Sequence, residues 1–194
     1  MRAARPRAGR AGSGRTWVRR QRRPSRYAGQ TDYGLAFAWH IGNCALNRAE
    51  AGRAGWVEDA SVAMVFAAFA FEGCLNHICD HLFEKWPERA LWHEKLRRVR
   101  REAGLRGKPD WSTLPYRSIE AAFAFRNGMA HPRTVYSAKV DDGWGCTIEN
   151  ARAALRDVKA EGDQLLELLG CDLPGGFYVL RESAGMVLDD EETG

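Results

Sequence analysis

The sequence predicts an all-α fold, an antiparallel bundle of four to five helices with one small β-hairpin late in the chain. Apolar residues recur three and four positions apart through most of residues 32–170. These stretches end at Gly or Pro, and the links between them are short. Long helices joined by short links pack antiparallel. At 194 residues and 45% apolar, the chain suffices for one domain with a substantial core and is too short for two.

The first helix is expected from about Asp32, with Leu35, Ala38, Trp39, Gly42, Ala45, Leu46 and Ala49 on one face, closing at Gly52 to Gly55. A second should run from about Glu58 to Glu84 and stop before Pro87. Its first half is apolar nearly all round, from Val62 to Phe71, which predicts a central position. A third spans roughly Glu88 to Ala103, with Leu91, Lys95, Leu96, Val99 and Ala103 inward and Arg97, Arg98, Arg100 and Arg101 outward. The fourth opens near Pro115, carries Ile119, Ala122, Phe123 and Phe125 inward, and reaches Arg126. Val135 to Val140, the turn Asp141-Asp142-Gly143 and Trp144 to Ile148 read as the hairpin. A fifth helix follows from about Ile148 to Leu169, capped by Gly170. Phe177 to Leu180 and Met186 to Leu188 suggest a short two-stranded piece before the acidic end, Asp189 to Glu192.

The organisation is thus an Arg-rich tail over residues 1–30, a helical domain over 31–172 and a C-terminal extension over 173–194. The net charge of +4 hides an asymmetry: residues 1–26 carry ten arginines and no acid, leaving 19 basic against 25 acidic residues in the rest. So basic a tail cannot bury enough apolar surface to fold alone and is expected to be disordered. A nonspecific RNA-binding arm and an organellar transit peptide are the functional alternatives; serine is sparse and no amphipathic face is clear. Five scattered cysteines and no secretory apolar stretch point to a reduced, cytoplasmic setting. The longest apolar run, Ala60 to Phe71, ends at Glu72, short of the ~20 residues a bilayer span needs, so no membrane partner is expected.

Chemistry concentrates in Arg126-Asn127-Gly128-Met129-Ala130-His131. Five positions on an unbroken helix would splay Arg126 and His131 by roughly 140°. Asn127-Gly128 is a helix-break signal and Pro132 prevents regular continuation, so a kink is expected to bring both side chains to one mouth. A guanidinium matches phosphate oxygens with a planar, permanently charged fork. An imidazole exchanges protons near neutral pH. Together they suit RNA cleavage by the RNA's own 2′-hydroxyl, which needs no metal or cofactor. One histidine is few for that reaction, and a two-fold dimer would supply a second.

Arg126, Asn127 and His131 resemble the motif of the HEPN superfamily, an Arg, four to six residues and a His, with a polar residue, often Asn, after the Arg. Glu72 and Asn76 are similar to the Glu and the Asn four residues later that end the apolar helix of many members. The resemblance covers about residues 32–170. It implies an all-α bundle, a homodimer and metal-independent endoribonuclease activity of the kind found in toxins, phage-defence proteins and RNA-processing factors, with RNA as substrate and an antitoxin or regulatory protein as a further partner. The implied catalytic residues are Arg126, His131 and Asn127. Members paired with a nucleotidyltransferase antitoxin often carry a Tyr two residues after the His; here that position is Arg133, and the nearest downstream Tyr is Tyr136.

Glu72, after ten apolar residues, needs a partner, because a buried carboxylate is costly alone. The expected partner is Arg126, either as a structural pair or with Glu72 orienting Arg126 in a cleft that Asn76 also lines. Arg97, Arg98, Arg100 and Arg101, with Arg89, Lys95, Arg106 and Lys108, are candidates for an RNA-tracking stripe or a plain solvated face. Cys74, His77 and His81 share a helical face with Cys79 nearby, yet no second Cys/His pair has helpful spacing, so core packing is expected and no metal. Gly-rich phosphate loops and Ser/His/Asp sets are absent. The alternative to an enzyme is a non-catalytic RNA- or protein-binding adaptor.

Overall fold

A computed structural model describes residues 28–52, 54–87, 89–130 and 145–171. The described residues are all-helical: α1 (Ala28–Glu50), α2 (Trp56–Leu82), α3 (Trp92–Glu102), α4 (Tyr116–Ala130) and α5 (Ile148–Leu169). The expected N-terminal tail (apart from residues 28–30, which open α1) and the C-terminal extension beyond Cys171 lie outside the described residues, as do Val135 to Val140 and the turn after them.

α2 is the central element and packs on each of the other four helices. Its alanines at 60, 63, 67, 68 and 70 are fully buried, and their small size lets neighbouring backbones come close. Gly55, at φ +91°, turns the chain into α2, and Glu58 and Asp59 place negative charge on its first turn, where the helix dipole favours it. By length and composition α2 could cross a membrane, but 61% of its apolar window is buried inside the protein. That apolar surface serves the core.

α1 runs antiparallel to α2. Arg48 pairs with Asp59 at 2.8 Å, Gly42 sits against Ala63 and Phe66, and Gly73 sits against Leu35, so the partner number rises as the α1 number falls. Gly42 leaves little room on this face: a Cβ there would lie 3.0 Å from a Leu155 methyl of α5 and 3.5 Å from the Phe66 Cβ. α4 and α5 are likewise antiparallel, since Tyr116 meets Glu161 and Ser118 meets Asp157.

Three local expectations are corrected. α3 starts at Trp92, not Glu88: Pro87 to Ala90 closes a turn, Leu91 is extended, and the carbonyl of Leu91 receives the first helical amides. The start is set by Trp92, which stacks on Phe123 at 4.2 Å between centroids and meets Phe71 and Trp111 edge-on. No strand covers residues 145–148. Thr147 instead caps α5, its hydroxyl accepting from the Asn150 amide at 3.2 Å, while the Asn150 side chain donates to the Gly145 carbonyl. Finally, α4 does not kink at Asn127-Gly128 but continues helical to Ala130, and Gly128 is not among the positive-φ glycines. The Asn-Gly signal is worth up to about 1 kcal/mol per residue against helix. The packing of α4 on α2 and α5 outweighs it.

Candidate functional site

Arg126 lies near the end of α4, four residues before Ala130, with its side chain 20% exposed. Its Nη1 donates to Glu72 Oε2 of α2 at 2.5 Å. Its Nε and Nη2 donate to Asn127 Oδ1 at 3.3 and 3.1 Å, so the long side chain folds back along its own helix. The guanidinium also lies 4.8 Å from the Phe123 ring centre and 5.5 Å from that of Phe69, within cation–π range. Two of the three expected catalytic residues, Arg126 and Asn127, are therefore in contact with each other, and Arg126 also with Glu72. His131 follows the last residue of α4 and lies outside the described residues.

Glu72 bridges two cations. Its other oxygen, Oε1, is 3.6 Å from Lys95 Nζ of α3, which in turn donates to Asn76 Oδ1 at 2.8 Å and sits 5.0 Å over the Trp86 ring. Lys95 is 3% exposed, so its ammonium is held almost wholly by these groups. One carboxylate between two basic side chains leaves the cluster with a formal net charge of +1. Sequence reasoning placed Lys95 among the inward residues of the third helix and also in the basic stripe. The inward position holds, and a lysine within an apolar stripe, one turn before Val99, was the signal that it partners an acid of a neighbouring helix.

The expected outer face of the third helix divides. Arg97 and Arg101 are exposed. Arg98 lies over Phe83, its guanidinium carbon 3.7 Å from the ring centre. Arg100 is corrected: at 13% exposure it turns inward, where Nη1 donates to Glu161 Oε1 at 2.9 Å and to the Tyr116 hydroxyl. Tyr116 also donates to Glu161 at 3.0 Å. Burial, reinforced by the Glu161 charge, pushes the Tyr116 phenol up to about 12. Nearby, Ser118 donates to Asp157 at 2.6 Å, and Arg156 pairs with the same carboxylate. These contacts tie α3, α4 and α5 together. They were missed in the sequence, where Glu161 and Asp157 lie on the inward face of the fifth helix with Ala154, Val158 and Leu165.

Cys74, His77 and Cys79 are buried, and the His77 and His81 rings are 4.4 Å apart. Among the described residues no group of three His, Cys, Asp or Glu side chains is placed to hold a metal ion. Burial pushes the Cys74 thiol far up, and that of Cys79 to about 12, so both stay protonated at neutral pH and act as apolar core. No protein-family model, curated protein or solved structure matches the chain.

Chemically, the cluster at the end of α4 presents a permanently charged, partly exposed guanidinium with fixed orientation and excess positive charge. That is the equipment for holding a phosphate.

Proposed function

We propose that the chain is a metal-independent endoribonuclease of the HEPN type. On this reading the helices form an antiparallel bundle, and two copies meet so that each contributes Arg126 and His131 to a composite site. Arg126 binds the scissile phosphate and Asn127 holds Arg126 in position. His131 moves the protons: as base it takes the 2′ proton, and the partner's copy protonates the departing 5′ oxygen. The 2′ oxygen bonds to phosphorus as the P–O5′ bond breaks, giving a 2′,3′-cyclic phosphate and a 5′-hydroxyl. The setting that fits is a cytoplasmic toxin or phage-defence effector held in check by an antitoxin or regulatory protein.

The observation that supports this reading is the joint hold of Glu72 and Asn127 on Arg126, five residues before His131, in a cluster with one positive charge in excess. The test is cleavage of a single-stranded RNA in excess chelator, with end-group analysis. The wild type should release cyclic phosphate ends. His131→Ala should slow cleavage by roughly 10²–10⁴-fold, and Arg126→Ala by roughly 10²–10³-fold. Cleavage by His131→Ala at the wild-type rate would remove the catalytic assignment.

A second reading has one observation in its favour: every guanidinium nitrogen of Arg126 already has a partner in its own chain. In a non-catalytic adaptor that saturation would be the whole purpose of the cluster. RNA bound but never cut, with Arg126→Met lowering stability and leaving RNA affinity unchanged, would favour it.

A further inference from the structure

A second basic site lies where α3 ends. Gly104 at φ +75° and Gly107 at φ +93° fold the chain back, with the Leu105 amide donating to the Arg100 carbonyl and that of Gly104 to Arg101. The fold-back borders an open cavity of about 510 Å³ whose lining includes Arg97, Arg100, Arg101, Arg106 and Lys108, and no acidic residue. Arg100 is anchored to Glu161 and forms a fixed wall. Among the described residues the other four cations make no ion pair. The helix C-terminus brings a partial charge of roughly −0.5, which offsets a small part of theirs.

The rest of the lining is Leu105, Pro109 and two glycines, with no aromatic ring to stack on a base and no neutral side chain to read one. Such a cavity recognises phosphate and ignores the base. Its position relates it to the first site. Arg100 touches Tyr116 at the start of α4, and Arg126 lies ten residues further along the same helix, a rise of about 15 Å. That separation corresponds to roughly four stacked nucleotides at 3.4 Å each.

We propose that this cavity grips the phosphodiester backbone of a single strand whose continuation passes Arg126. The proposal rests on the ribonuclease reading for the identity of the strand, but its binding step is tested separately. A labelled twelve-nucleotide single-stranded DNA presents the same phosphates and has no 2′-hydroxyl to attack, so it reports binding without cleavage. The full chain is titrated with it between 50 and 200 mM salt, as wild type, as Arg101→Gln/Arg106→Gln/Lys108→Gln, and as a charge-matched control, Arg48→Gln/Lys85→Gln/Arg152→Gln. These side chains are exposed, and circular dichroism confirms folding. The cavity variant should bind at least tenfold more weakly at the lowest salt, and its salt slope should fall by about 2, from roughly 0.7 per lost single-strand contact. The control should change less than threefold.

Equal losses in both variants, or none in the cavity variant, would overturn the proposal. So would ATP or inorganic phosphate binding the wild type as tightly as the twelve-mer, since the site would then serve a free phosphate compound. Lost cleavage with intact, cavity-dependent DNA binding removes the ribonuclease reading and leaves the phosphate site standing. Intact RNA cleavage with cavity-independent binding does the reverse.

Discussion

Replacing Glu72 with Gln keeps the shape of the side chain and one acceptor oxygen, and removes the charge shared by Arg126 and Lys95. At 3.6 Å and an effective dielectric of about 20, the Lys95 attraction alone is roughly 4–5 kcal/mol before desolvation is counted. Removing one partner of a buried pair costs about 3–5 kcal/mol. Here Glu72 is 30% exposed, which screens the interaction, and Asn76 still accepts from Lys95. The expected loss is therefore about 2–3 kcal/mol, read as a urea midpoint about 1 M lower with unchanged slope. Anion binding should move the other way: the cluster goes from +1 to +2, so inorganic phosphate or a short oligonucleotide should bind several-fold more tightly to folded Glu72→Gln. Lys95→Met takes the cluster to zero and should weaken the same binding. A stability change under 0.5 kcal/mol, or both variants shifting anion affinity in the same direction, would refute the account of Glu72 as a bridge between the two cations.

Other consequences are as direct. The Tyr116 phenol titrates near 12 in the folded protein against about 10 when unfolded, so the folded state holds that proton longer. Its stabilising contribution is complete below pH 10 and is lost as pH rises toward 12; Tyr116→Phe should flatten the fall in urea midpoint over that window. Gly42→Val should destabilise by about 1–3 kcal/mol, because the added atoms meet Leu155 and Phe66, whereas Gly34→Ala, with nothing within 4 Å, should stabilise by about 0.5–1 kcal/mol through helix propensity alone. Thermal unfolding of the two variants separates packing from propensity. Thr147→Ala should lower stability by about 1 kcal/mol, seen in chemical denaturation, by leaving the Asn150 amide without its cap.

Local chemistry made much of the helical layout legible. The fifth helix was read almost to the residue, from Ile148 to the positive-φ Gly170, because its capping residues are its immediate neighbours in sequence. The pairing of Glu72 with Arg126 was also readable, since a carboxylate ending a ten-residue apolar run must find a cation and the motif helix offered one. The kink at Asn127-Gly128 was not borne out, because a local preference of about 1 kcal/mol yields to the packing of a whole helix. The start of α3 was misplaced for the same reason: Trp92 belongs to an aromatic cluster built with Phe71, Trp111 and Phe123, from three other parts of the chain.

What the sequence determined by itself is the helical character, the central apolar helix and the residue types gathered at Arg126, since periodicity and caps act between near neighbours. Tertiary structure alone decided the allocation of charge. It drew Arg100 inward to Glu161, placed Lys95 beside Glu72, and left Arg97, Arg101, Arg106 and Lys108 around one cavity. Arginines and lysines on one short helix look alike in sequence. Their roles diverge only when acids from other helices arrive within a few ångströms, and that distance is a property of the fold.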